Sequence, residues 1–382
     1  MTPAPQPIGL YVHIPFCRTK CTYCDFTAFA GLHHRSGAYL TALERETTVR
    51  LAEVDRPVAT LFFGGGTPSE LAPDELRRCL DFTVRLAPLL PDAVIELEAN
   101  PETVDPERLE ILRSAGVTRL SIGVQSFDDA ELRAIARFHG SAGALHAVAL
   151  ARAAGFSSIS IDLMLGIPGQ TMESWRRSLL QTVALAPEHI SCYGLTLEPS
   201  TPMARQVRRG SVVLPDDDVQ AALYATACES LAAAGYHHYE VSNWARPGHE
   251  SAHNLGYWNR QDYLGLGAGA ASTIDGIRWS NHSALERYIC DASTTGHAVA
   301  SEERLSADEQ RLEHVMLGLR LARGVNARHF AQQHGMTVQE WGGVALERLL
   351  GADLVRWHNG ALVVPEAHWF VLHGILSELV TG

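Results

Sequence analysis

Cys17-Arg18-Thr19-Lys20-Cys21-Thr22-Tyr23-Cys24 decides how the 382-residue chain is read. Three of the seven cysteines fall here in the spacing C-x3-C-x2-C, whereas Cys79, Cys192, Cys228 and Cys290 are scattered singly. Three thiolates on one loop can hold three corners of a cubane [4Fe–4S] cluster, which normally takes four, so one iron stays open for a small molecule. Pro15-Phe16 ahead of Cys17 favours a turn out of a strand. A zinc site, a redox C-x-x-C pair and chance spacing are the alternatives. Structural zinc usually wants two separated pairs of ligands, and His13 is the only extra ligand nearby. A redox pair at Cys21 and Cys24 leaves Cys17 unexplained.

Composition bounds the rest. The chain is 46% hydrophobic and 19% charged, ordinary for a globular protein, and its length suits a large core and two domains. A net charge of −12 argues against nucleic-acid binding. Lys20 is the sole lysine against 30 arginines, a composition bias rather than a function. Cysteines without paired spacing argue against a disulfide framework and for a reducing compartment, the cytoplasm. Met1-Thr2-Pro3-Ala4-Pro5 lacks the charged and apolar regions of a signal peptide, and no apolar run is long enough to span a membrane.

Apolar, β-rich runs at Ile8–Ile14, Val58–Phe63, Val94–Glu98, Arg119–Val124, Ser158–Met164 and His189–Leu195 alternate with helical segments. That alternation predicts parallel βα units, and six of them predict an open, partial (β/α)6 barrel in the α/β class. From Ser306 the texture changes. Helices at Ala307–Leu321, Asn326–His334 and Thr337–Leu350, a hairpin turning at Asn359-Gly360 and a last helix over Glu366–Leu379 predict a winged-helix-like α+β module. We therefore expect a barrel core over residues 1–236 and a C-terminal domain over 237–382. The latter divides into a connecting segment, 237–300, and the module, 301–382. Residues 301–382 hold seven arginines, no lysine and ten acids, the wrong sign for a DNA reader.

Parallel barrels present binding groups at the C-terminal ends of their strands. Gly64-Gly65-Gly66-Thr67-Pro68 follows the second strand, where glycines let backbone approach a ligand; a plain tight turn is the bland reading. Glu98 ends the third, and alternation puts it on one face with Glu96. An inward carboxylate there needs a cationic partner. Gln125 and Asp162 end later strands. Arg137, usually a surface residue in such a setting, suits a carboxylate ligand, and Asp162 suits ribose hydroxyls. Gly265-Leu266-Gly267-Ala268-Gly269-Ala270 is glycine-dense but follows no clear strand, so it is weak as a nucleotide site. Tyr236-His237-His238-Tyr239-Glu240 is a further ligand candidate.

The cysteine spacing resembles the signature of radical S-adenosylmethionine (SAM) proteins. The longer string from Tyr11-Val12-His13-Ile14-Pro15-Phe16-Cys17 to Cys24-Asp25-Phe26 is similar to the oxygen-independent coproporphyrinogen III oxidases and their HemW-like haem-chaperone relatives. The oxidases carry a further cysteine where this chain has Phe26, and the chaperone branch also lacks it. The resemblance covers roughly Ile8 to Ser242. It implies a [4Fe–4S] cluster on Cys17, Cys21 and Cys24 with SAM on the free iron. It also implies that Gly65, Gly66 and Thr67 take the SAM amino group and that Glu98 lies on SAM. Tyr11, Gln125, Arg137, Asp162 and Thr196 match further polar positions of the SAM region, some of which hold a second SAM in the oxidases.

His253-Asn254-x-x-Tyr257-Trp258 resembles a motif associated with haem binding in the chaperones. Imidazole is a standard haem ligand, and aromatic faces suit a flat macrocycle. A packed domain junction is the competing reading. The expected function is a haem chaperone whose partners are haem and haem-acceptor apoproteins, acceptors at a membrane included. The alternative is a coproporphyrinogen III oxidase; a winged-helix regulator sensing through its cluster comes third. Replacing Cys17, Cys21 or Cys24 by alanine should abolish the brown chromophore and about four irons per chain. Alanine at Cys79, Cys192, Cys228 or Cys290 should leave both; a full cluster in the Cys21→Ala protein would refute the assignment.

Overall fold

A computed structural model describes residues 5–381; Met1–Ala4, and with them most of the segment read above as lacking a signal peptide, lie outside. The alternating βα pattern becomes six parallel strands laid side by side in chain order. They are β1 (Ile8–Ile14), β2 (Val58–Gly65), β3 (Leu89–Ala99), β4 (Arg119–Gln125), β5 (Ser158–Leu165) and β6 (His189–Gly194). Their helices start and stop on local chemistry. Asp105 caps the helix Pro106–Ser114 by accepting from the Arg108 amide, and Thr171 and Ser174 form a reciprocal capping box at Met172–Ala184. β4 is buried along its whole length, as a strand covered on both faces must be.

The expected domain boundary at 236 falls inside a continuous sheet. Six more strands follow: β7 (His237–Glu240), β8 (Asn243–Ala245), β9 (Tyr263–Leu266), β10 (Ala271–Ile274), β11 (Ile277–Asn281) and β12 (Val299–Arg304). The order is β12-β11-β10-β9-β1-β2-β3-β4-β5-β6-β8-β7, with β9 parallel to β1 and the strands beyond it antiparallel. These strands are short and mostly polar, so period-two alternation was too brief to read. The glycine-dense run begins inside a strand, its first two residues being the last two of β9. It is held by close packing: a Cβ at Gly265 would come within 2.0 Å of the Ala271 carbonyl oxygen.

The two sheet edges are protected differently. β12 is exposed throughout and carries Glu302, Glu303 and Arg304, charges that discourage edge-to-edge pairing. β7 is covered by the C-terminal module, in which the segment after the helix Ala307–Gly318 pairs alongside it through Val241 N to Arg320 O at 3.0 Å and Ala322 N to Tyr239 O at 3.0 Å. The module follows the expected pattern. Its helices are Ala307–Gly318, Ala327–His334 and Val338–Gly351, and its hairpin pairs Arg356–His358 with Ala361–Val363. The last helix differs: Glu366–Val371 is a 3-10 turn, and α-helix begins at Leu372.

Glu46, fully buried on the helix Ser36–Val54, ties the added strands to the barrel. It accepts from Gly267 N at 2.8 Å, Asn281 Nδ2 at 2.7 Å and the Tyr288 hydroxyl at 2.6 Å. Burial lifts its carboxyl to about 7. Glu46→Ala leaves Gly267 N and the Tyr288 hydroxyl without this acceptor, Asn281 Nδ2 keeping Gly267 O at 3.0 Å, and should cost roughly 1–3 kcal/mol of stability in urea denaturation. An unchanged midpoint would show that the network contributes nothing.

Candidate functional site

The loop leaving β1 is fixed at both ends by backbone. Phe16–Cys17 pairs with Phe29–Ala30, and Gly66 N and Thr67 N donate to Ile14 O and Phe16 O at 2.8 and 2.9 Å. The glycines are needed for packing as well as access. Gly65 has φ +113°, and a Cβ there would meet the His13 ring at 2.6 Å; a Cβ at Gly66 would meet Phe16 O at 2.8 Å. His13 is neutral, held down to about 4 by burial, and both its nitrogens are engaged, with the Tyr11 hydroxyl at 2.9 Å and Thr27 O at 2.7 Å. It is therefore no fourth metal ligand, which removes the donor that a zinc reading would borrow.

Cys17, Cys21 and Cys24 line one cavity of about 550 Å³ at the C-terminal ends of the strands. Gly65, Gly66, Thr67 and Glu98 line it from β2 and β3, and Gln125, Arg137, Asp162 and Thr196 from further round the barrel. Tyr11 does not: it sits behind the wall, stacked on Phe62 and bonded to His13. Its hydroxyl orients His13, against which Gly65 packs.

The cavity is electrically divided. Near the cysteines, burial raises the Cys17 thiol to about 11, partly offset by Thr67, whose Oγ1 lies 3.6 Å from the sulfur. Deprotonating such thiols calls for a compensating cation, and buried Arg137 faces them. It is bonded to Asn100 Oδ1, while its Nε is buried without a partner. On the other wall burial pushes Glu98 up to about 8, with Asp162 adding to the rise. Glu98 accepts from Gly65 N at 3.2 Å and has no cationic partner, contrary to the expectation for an inward carboxylate. Burial also lifts Asp162, to about 6, although it accepts twice from the Ser121 hydroxyl at 3.0 Å. Gln125 holds φ +68°, a left-handed backbone unusual for a non-glycine residue and characteristic of ligand sites.

Residues that the sequence reading passed over complete the floor. Arg119 Nε pairs with Glu96 Oε1 at 3.0 Å, both nearly fully buried, so Glu96 has the cation that Glu98 lacks. Arg119 Nη1 also donates to His249 O at 2.7 Å, and Ser251 Oγ donates to Glu96 Oε2 at 3.3 Å. Ser121, Ser160, His189 and Ser191 line the same cavity. Their signal was legible: polar residues two apart in Arg119-Leu-Ser121, Ser160-Ile-Asp162 and His189-Ile-Ser191 mark one inward face of buried strands.

The His253 motif lies on the short helix Ala252–Trp258, and the structure divides it. Asn254 lines the cavity; His253, Tyr257 and Trp258 do not. His253 is buried, with Thr60 Oγ1 2.8 Å from Nδ1 and the Tyr257 hydroxyl 2.9 Å from Nε2. It stacks on Phe62 at 5.0 Å, and burial lowers it to about 3. The expected haem ligand thus has both nitrogens occupied inside the wall. Tyr257 packs edge-on to Tyr263 at 4.6 Å, and the Arg320 guanidinium lies over the Trp258 ring.

The donor set suits an iron–sulfur cluster with an open iron: three thiol side chains on one wall, a buried guanidinium beside them, and carboxylates opposite. Comparison with known proteins agrees. Residues 11–181 match the radical SAM superfamily and residues 305–371 the HemN C-terminal domain. The heme chaperone HemW of Bacillus subtilis is 37% identical over 94% of both chains. That of Mycobacterium tuberculosis is 40% identical over 95% of this chain and 93% of its own. Coproporphyrinogen III oxidase (HemN) of Escherichia coli, described as a radical SAM enzyme, superposes with a TM-score of 0.87 at 26% identity, covering 99% of this chain and 91% of its own. With thiols, fold and relatives in agreement, the chain belongs to the HemW-like branch of the radical SAM superfamily.

Proposed function

We propose that this protein is a haem chaperone which carries a [4Fe–4S] cluster on Cys17, Cys21 and Cys24, binds SAM in the same cavity and passes haem to acceptor apoproteins. The observation that carries this reading is the relationship to proteins named heme chaperone HemW over nearly the whole chain. Phe26 supports it: this residue stands where the oxidases have another cysteine, lines the cavity and is 65% exposed. A cluster and SAM would be expected of the superfamily. Membership does not make the chain an oxidase, and we place it with the chaperones. Its single cysteines and oxygen-sensitive cluster suit the reducing cytoplasm. No helix among the described residues is long and apolar enough to cross a membrane.

Each wall of the cavity has a task under this reading. When bound, the cluster would supply an open iron to hold SAM. Arg137 offsets the charge of the deprotonated cysteines, and Lys20, which donates to Phe26 O at 2.9 Å, closes the loop. Glu98 receives the ligand's ammonium, Asp162 its ribose hydroxyls, and the Glu96–Arg119 pair keeps the floor rigid. Asn254 joins this lining directly. His253, Tyr257 and Trp258 act as positioning residues: they fix the wall behind Phe62 and hold Asn254 in place.

The deciding experiment offers the reconstituted protein haemin with an apo-acceptor, and separately coproporphyrinogen III with SAM and a reductant. One haem bound per chain and passed on, with no protoporphyrinogen IX formed, is the expected result. Turnover without haem transfer would make the chain an oxidase. Because Glu98 is raised to about 8, an ammonium ligand must displace its proton below that pH. SAM affinity should therefore rise with pH, by up to about tenfold per unit, and level off above the Glu98 value. In Glu98→Gln protein it should be weak and flat; a pH-independent wild-type affinity would remove Glu98 from the site. His253→Ala should lower the thermal midpoint and leave the haem Soret band in place, and a shifted band would put His253 on the iron.

A further inference from the structure

We propose a second metal site, for Zn2+, formed by Cys228, His238 and Glu366 where the C-terminal module meets the sheet edge. Cys228 lies on the helix Asp217–Ala233, His238 on β7 and Glu366 at the start of the 3-10 turn Glu366–Val371. One ligand atom from each falls within 4.8 Å of the others. His238 Nδ1 is 2.6 Å from Glu366 Oε1 and 3.9 Å from Cys228 Sγ. Around tetrahedral zinc, bonds of about 2.0–2.3 Å put nitrogen and oxygen about 3.4 Å apart and nitrogen and sulfur about 3.6 Å apart. Loading the site therefore asks the carboxylate to withdraw by less than roughly 1 Å and the thiol to approach slightly. Glu366 is free to do so, its side chain being 54% exposed.

The imidazole is already prepared. Its ring stacks on Trp244 at 3.8 Å and 12°, and Trp369 closes on it edge-on at 4.3 Å. Trp369 is itself anchored, donating from Nε1 to Val364 O at 3.0 Å. The other ring nitrogen, Nε2, faces Val241 O at 3.4 Å. A proton on Nε2 directed at that carbonyl leaves the Nδ1 lone pair for a metal, the arrangement in which ligating histidines are usually held. Thiolate, imidazole and carboxylate together favour zinc over the hard cations that prefer all-oxygen sites. The exposed side of Glu366 gives entry from solvent and leaves a fourth position for water. Because the ligands come from the barrel and from the module, the ion would staple the two together across β7. This site is separate from the cysteine loop and does not depend on the proposed function.

The test uses the full chain with Cys17, Cys21 and Cys24 replaced by serine, so that the loop cannot take the metal. Elemental analysis after equilibration with Zn2+ should give one ion per chain. Co2+ should give a thiolate-to-metal charge-transfer band that Cys228→Ser abolishes. Glu366→Gln changes only a surface side chain, so the fold should persist while Zn2+ affinity falls at least about tenfold. His238→Gln should abolish binding but alters a packed ring, so the first two variants decide. Zn2+ should also raise the thermal midpoint of the loop variant and not that of its Cys228→Ser derivative. No bound metal in the loop variant, or binding unmoved by Cys228→Ser and Glu366→Gln, overturns the proposal.

Discussion

The approach of two backbones at the ends of β1 and β2 sets the geometry on which everything else rests. Gly65 and Gly66 lie so close to His13, Pro15 and Phe16 that no side chain fits between. That contact lets Gly66 and Thr67 hydrogen-bond to the loop and aims the cysteines into the barrel mouth. A Cβ at Gly66 would press on backbone, which cannot rotate away, so the loop would have to lift. The glycines thus fix where three thiolates stand before any ligand arrives, and preorganisation of this kind is what makes a site of a loop.

Charge is distributed around that loop by burial. Arg137 sits with the cysteines, whereas Glu98 and Asp162 stand opposite, both raised because the cavity desolvates them. The floor carries its own closed pair, Glu96 with Arg119, and so draws no charge from a ligand. A cavity with a guanidinium at one wall and a carboxyl without a cationic partner at the other favours a ligand bearing both signs. Burial favours the protonated form of Glu98 near neutral pH, and a cationic ligand would reverse that preference.

The barrel was legible because its strands are long, apolar and evenly spaced, and the cysteine loop because chance rarely puts three thiols in eight residues. Gly65, Glu98 and Gln125 could be placed on the cavity from strand ends, whereas Arg137 and Thr196 were matched through the family resemblance. The connecting segment could not. Strands such as Asn243–Ala245 and Tyr263–Leu266 are too short to show a period, and they become strands only because β6 and β1 offer edges to pair with. Tyr11 shows a related limit. Alternation along β1 says which face a side chain leaves from, not that a neighbouring glycine run will close over it.

The His253 motif shows the same limit in chemical terms. A histidine followed at i+4 by tyrosine on one helix reads equally well as a ligand beside an aromatic wall or as an internal hydrogen bond. The environment decides between them. Thr60 and Tyr257 are hydroxyls that can each donate or accept, so either neutral tautomer of His253 is satisfied, and burial holds the ring neutral. Bringing that ring to an iron would break both bonds and its stacking on Phe62, and would orphan two buried hydroxyls at a cost of about 1–3 kcal/mol each. Asn254, one residue on, points the other way into the cavity. The motif builds the wall behind Phe62, with His253 bonded to Thr60 and Tyr257 while Asn254 reaches the cavity.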